Sequence, residues 1–296
     1  MISRTCSLSP WFLATLALPL LAAPGRGAEP APPMPSPPRI TGLVVRVADL
    51  DQALEFYRQV AGFATVQVDR TAGSAEMVNG EVTLRLLRVK APVRHDYPGP
   101  SEAHLNLQIE KLDDTLADLA RRGVPRLVDK PLVAPIGPNV PITDPSGNIL
   151  YLVQLNSQKD PLPRPKVLNY GITVPAMAEA RKFYEGLLGF KVYSEAFYPP
   201  VIPYLPAGVL QVVLHESATK AAPPPPPDTA QMNLVFEVDD LAAARRDLAA
   251  RGATIRAAEG AGALGRHAEL LDPFGNVHLL VERSRSAKTA RQAAPQ

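Results

Sequence analysis

Cysteine is nearly missing from this chain of 296 residues: Cys6 is the only one. It lies in an N-terminal apolar segment and lacks the flanking residues of a lipoprotein box. Without it the rest of the chain holds no disulfide, no thiol nucleophile and no cysteine-ligated metal. An excess of charge of one sign is missing too. Thirty-one basic residues stand against 29 acidic ones, the net charge is +2, and the basic residues are scattered. That pattern argues against nucleic acid as a partner. No apolar run is long enough to span a bilayer comfortably, Trp11 to Ala23 included. There is also no phosphate-cradling glycine loop, no Gly-x-Ser-x-Gly elbow and no His-Glu-x-x-His pair.

Proline, in contrast, is abundant, with 33 residues, and much of it is clustered: Pro30 to Pro38, and the run Pro223 to Pro227. Such stretches favour extended, solvated backbone. The first residues have the organisation of an export signal, with Arg4, an apolar centre from Trp11 to Ala23, and small residues from Ala23 to Ala28. The expected layout is a signal over 1–28, a Pro-rich linker over 29–38 and an exported product, periplasmic or secreted, with no transmembrane span after signal removal. Residues 284–296 are polar and aperiodic and are expected to form a loose tail.

The organising feature is Asp144-Pro145-Ser146-Gly147-Asn148 before the apolar run Ile149 to Leu155. It returns about 128 residues later as Asp272-Pro273-Phe274-Gly275-Asn276 before Val277 to Val281. Proline fixes one φ and Gly-Asn tolerates positive φ, so each copy is a turn into a strand. The surroundings repeat as well. Strands are expected over 39–47, 63–68, 75–78 and 82–89, with a helix from Asp49 that Gly62 stops. A strand over 104–109 and a helix over 112–122 restart the βαβββ pattern. In the second half come a strand over 167–174, a helix over 178–188, strands over 191–197, 201–205 and 209–214, then a strand over 232–238 and a helix over 241–251. Phe183-Tyr184 and Gly189-Phe190 match Phe56-Tyr57 and Gly62-Phe63. The expected division is one domain over 39–156, a linker over 157–166 and a second domain over 167–283.

Four βαβββ units in two pairs, with these Phe-Tyr, Gly-Phe and Asp-Pro-x-Gly-Asn motifs, resemble the vicinal oxygen chelate superfamily. It includes glyoxalase I, the bleomycin and fosfomycin resistance proteins and the extradiol dioxygenases. The resemblance covers about 39 to 283 and implies an α+β fold: tandem glyoxalase-like domains, each two βαβββ units in a curled, incompletely closed mixed sheet with helices outside. It implies a concave face that holds a small molecule. In metal-using members that face carries His or Gln on the first strand, sometimes Glu on the fourth, His on the fifth and Glu on the eighth. Such a set leaves coordination positions open for two substrate oxygens.

Carried onto this sequence, those positions are Gly42, Arg85, His104 and Tyr151 in the first domain. In the second they are Asn169, Gln211, Asn233 and Leu279. Only His104 is a good ligand, even when the domains are pooled, so no bound metal is expected. His104 is then either a groove acid, base or donor, with Tyr151 opposite and Arg85 to hold an anion, or a polar lining residue. His267 and Glu269 share a strand face, and His215 could join them in a relocated metal site, although an i, i+2 polar pair is also what a wet strand face shows. Arg46, Asn106, Gln108, Thr173 and Glu237 alternate toward the concave faces.

The leading expectation is an exported binding protein without the family metal, taking a small polar or anionic molecule. The alternative is a metal-dependent enzyme, lactoylglutathione lyase-like, isomerase or dioxygenase, using Zn, Mn, Fe or Ni at a divergent site. A structural role, with partner contacts through Pro223 to Pro227, is a third possibility. A monomer and a homodimer both remain open.

Overall fold

The computed structural model describes residues 37–90, 103–196, 202–206, 208–217, 231–258 and 264–283. The expected export signal, most of the Pro-rich linker, Pro223 to Pro227 and the tail lie outside them. Four βαβββ units follow in order. The first has β1 (Arg39–Val47), α1 (Leu50–Gln59), β2 (Ala64–Asp69), β3 (Ser74–Asn79) and β4 (Val82–Arg88); the second has β5 (Ala103–Ile109), α2 (Leu112–Arg121), β6 (Leu132–Ala134), β7 (Gly137–Thr143) and β8 (Ile149–Gln154). The third has β9 (Lys166–Val174), α3 (Met177–Arg181), β10 (Ser194–Ala196), β11 (Ile202–Pro206) and β12 (Gln211–Glu216); the fourth has β13 (Gln231–Val238), α4 (Leu241–Ala250), β14 (Thr254–Ala258), β15 (His267–Leu271) and β16 (Val277–Glu282).

Local chemistry explains where the elements begin and end. Asp49 caps α1 by accepting from the Gln52 amide at 3.0 Å, and Asp240 caps α4 by accepting from Ala243 at 2.9 Å. Gly62 closes the first helical corner at φ 74°, a backbone that disfavours any side chain. The third helix keeps nearly the expected span but changes type within it. α3 has no side-chain N-cap and widens into a π turn over Lys182–Leu187. Ala176 at the cap and Gly186 inside the turn make this the weakest helix former of the set. The strand expected over 191–197 shortens to β10, whose partner β11 places Pro203 opposite Glu195. Proline has no N–H to donate, so the ladder at this edge is short.

The units are assembled into two eight-stranded mixed sheets, in the orders β14-β15-β16-β13-β1-β4-β3-β2 and β10-β11-β12-β9-β5-β8-β7-β6. The first sheet joins the first unit to the fourth through antiparallel β1 and β13; the second joins the second unit to the third through β5 and β9. Each sheet is therefore two βαβββ units, as the fold class requires, but it takes one unit from each half of the chain. The stretch between the halves is pinned rather than loose: Asn79 donates to the Pro165 carbonyl at 2.9 Å, and Leu162 donates its amide to Glu110 at 2.8 Å.

One continuous apolar core takes side chains from both sheets and from the helices: Leu43 and Leu84, Leu105 and Leu152, Ile172 and Leu214, Leu234 and Leu280, with Phe56, Leu119, Ala180 and Leu248. Strand alternation turns the opposite residues toward the concave faces. The two turns that organise the sequence lie inside this joint. Tyr57, in the first unit, donates to Asp144 Oδ2 of the second at 3.1 Å; Tyr184, in the third, donates to Asp272 Oδ2 of the fourth at 3.0 Å. The other carboxylate oxygen accepts from Ser146 and Asn148 amides in one copy and from Phe274 and Asn276 amides in the other. Burial pushes both carboxyls above their usual range, against these hydrogen bonds, which pull the other way.

Candidate binding groove

The crossed assembly re-sorts every candidate site residue. Gly42, Arg85, Asn233 and Leu279 belong to strands of the first sheet; His104, Tyr151, Asn169 and Gln211 belong to the second. Neither set is the one that the two sequence halves suggest.

The concave face of the first sheet is filled or paired at these positions. Val44, Leu264 and Leu279 form a separate buried apolar cluster, with Leu87, Val235 and Val281 against it. A side chain at Gly42 would meet the Thr83 carbonyl at 2.2 Å. Asn233 donates to Gln231 Oε1 at 3.1 Å and to the Val277 carbonyl at 2.9 Å. Arg85 pairs with Glu76 at 3.1 Å beside a cavity of about 240 Å³ that Gln67, Asp69 and Ser74 also line. His267 and Glu269 do share a face, with Ala268 and Leu270 in the core. The face at Glu269 is not wet, however. Glu269 is 4% exposed and lies between two guanidiniums, Arg46 at 3.0 Å and Arg256 at 2.9 Å. His215 is on the other sheet, so the proposed group of His215, His267 and Glu269 does not assemble.

The second sheet brings its polar residues together. The His104 ring lies 4.4 Å from that of Tyr151 at 47° and 5.6 Å from that of His215 at 36°. Asn106 donates to Asn169 Oδ1 at 2.5 Å across the β5–β9 register. His104 has room for this pose because its cross-strand partner is Gly171; a Cβ there would be 2.0 Å from Nε2. Burial, and then the neighbouring His104, lowers the His215 pKa to about 3, so its ring is neutral at ordinary pH. Its Nε2 is buried without a hydrogen-bond partner. Tyr151, Thr173, Gln211 and His215 are half-buried, which gives this face an approachable rim.

One imidazole, one phenol and two amides occupy the four positions where metal-using relatives place ligands. Neutral amides do not offset a divalent charge, and no carboxylate joins them, so this donor set does not fit such an ion. Among the described residues, no group of three or more His, Cys, Asp or Glu converges in a way that could hold a metal. His278 is buried instead, one residue before Leu279 and so on the other side of β16. Its Nε2 lies 2.9 Å from the Tyr184 hydroxyl, and burial lowers its pKa to about 3.

The glyoxalase/bleomycin resistance protein/dioxygenase superfamily model matches residues 39–152 and 166–278, so the chain belongs to that superfamily. Among solved structures, glyoxalase I from Zea mays is similar at 16% identity, over 87% of this chain and 97% of that one, with a TM-score of 0.60. A putative dioxygenase from Bacillus subtilis is similar at 13% identity, over 83% and 86% respectively, with a TM-score of 0.56. At such identities the likeness is one of fold. No curated protein matches the chain.

Proposed function

We propose that this superfamily member is an exported binding protein that takes a small polar molecule in the concave groove of its second sheet without a metal ion. The observation that carries the reading is the content of the four family positions in that groove. His104, Tyr151, Asn169 and Gln211 supply hydrogen-bond donors, acceptors and ring faces, and no anionic ligand for a cation. Such a surface holds a molecule by hydrogen bonding and ring packing. The first groove is the weaker candidate, because its centre is packed with Val44, Leu264 and Leu279 and the cavity that remains is walled by the paired Arg85 and Glu76.

Export rests on the first 28 residues, and N-terminal sequencing of the secreted product tests it. Binding is tested on purified mature protein with a thermal-shift screen of neutral and charged small molecules, run beside elemental analysis. Stabilisation by a ligand whose effect is lost in His104→Ala, with no stoichiometric Mn, Fe, Ni, Co or Zn, is the expected result. One metal per chain, with turnover that disappears on its removal, would replace this reading with that of a divergent metal enzyme.

A further inference from the structure

Crossing the units between sheets also sorts the charges. The groove-facing residues of β5, β7, β8 and β12, and those of β9 from Asn169 to Thr173, include no Asp, Glu, Lys or Arg. Their polar members are amides, hydroxyls and imidazoles. The first sheet, by contrast, turns Arg46, Glu76, Arg85, Glu237, Arg256 and Glu269 to its concave side, where most are paired with one another. Had each half of the chain closed on itself, both grooves would have held arginine or glutamate.

We infer that the second groove selects an uncharged ligand carrying a planar ring and a hydrogen-bonding group; this rests on the proposed binding role of that groove. An ion held against these strand residues would leave water and find no countercharge among them, since Lys166, in register with Gln108, is exposed at the strand's end; that is far more costly than desolvating a neutral amide or hydroxyl. A ring is favoured by the wall that His104, Tyr151 and His215 build, with neighbouring centroids 4.4 and 5.6 Å apart. A hydrogen-bonding group is favoured by His215 Nε2, a buried nitrogen with no partner. Because the His215 ring is neutral, its tautomer can either donate or accept there.

Four probes of nearly equal size separate these terms: benzamide, benzoate, benzamidinium and cyclohexanecarboxamide, titrated into isotope-labelled mature protein. Benzamide is expected to shift the Tyr151 ring signals and the His215 imidazole nitrogens, with an affinity at least about tenfold above either ion. Cyclohexanecarboxamide should bind more weakly than benzamide. Equal or tighter binding of an ion at these signals overturns the selection for uncharged ligands while leaving the groove a binding site. Equal binding of the cyclohexane compound overturns the ring requirement, and silence from all four overturns the inference. Asn169→Asp keeps the acceptor for Asn106 and adds a charge, so benzamidinium should overtake benzamide. Gln211→Glu, on the half-buried rim, provides the same inversion if the first variant folds poorly; an unchanged order in a folded variant would contradict the inference.

Discussion

At the scale of single residues, two positions carry more consequence than their chemistry suggests. Gly171 is an ordinary extended residue whose missing side chain is the space that His104 occupies. Gly171→Ala should displace the imidazole and cost about 1–3 kcal/mol, the usual range for overpacking, visible as a lower unfolding midpoint and an altered His104 ring signal. His278 stands where the other copy of the turn has Leu150, and it bonds to Tyr184 beside Asp272. Its folded pKa is about 3 against an ordinary 6.5. Between those values the unfolded chain binds a proton that the folded chain refuses, so stability is full above 6.5 and falls by about 1.4 kcal/mol per unit as pH drops. His215 behaves likewise. Asp144 and Asp272, with raised pKa values, work in the opposite sense: their contribution is present below 3.8 and is lost as pH rises through their folded values. Subtracting the stability profile of His278→Leu from that of the parent cancels the shared terms. The difference should slope only below about pH 6.5, and a flat difference would refute the assignment.

At the scale of elements, strand register decides which residues meet. β5, β8 and β9 lie side by side, placing His104, Tyr151 and Asn169 in one groove. Restoring family ligands on those strands should therefore create a metal site. Tyr151→Glu with Asn169→His is expected to bind Zn or Ni stoichiometrically by titration calorimetry. The control Arg85→His with Tyr151→Glu splits its ligands between the sheets and should bind neither. Much of this was legible beforehand. Alternation turns Asn106 and Gln108 toward the concave face, and the intervening Leu105 and Leu107 lie in the core, because the period of a strand is a local property. The sharing of a groove by His104 and His215 was not legible, since alternation gives the face of a strand and not its neighbours. The burial of Glu269 is not legible for the same reason: its partners Arg46 and Arg256 come from other strands, Arg46 from far along the chain.

At the scale of the whole molecule, the interleaving makes the two halves of the sequence dependent on each other. Residues 39–156 contain half of each sheet, and by themselves they would expose the β1 and β5 edges. Expressed alone, that segment should fold only as a dimer that supplies both missing edges, as sedimentation can determine; a stable folded monomer would contradict this expectation. The Tyr57–Asp144 and Tyr184–Asp272 bonds add to the dependence, because each crosses between the sheets. Loss of the Tyr57 bond would leave the buried Asp144 carboxyl with three of its four hydrogen-bond donors.

The sequence by itself determined the four units, their order, the turns that mark them and the poverty of metal ligands. Each of these depends on local propensity, strand period or residue identity. Tertiary structure alone decided which units share a sheet. All four carry the same backbone pattern, so either pairing satisfies the same ladders; the choice lies in side chains that meet across the joint, far apart in the chain. That choice gathered the uncharged polar residues into one groove and left the other with a centre packed by Val44, Leu264 and Leu279 and with its charges held in ion pairs.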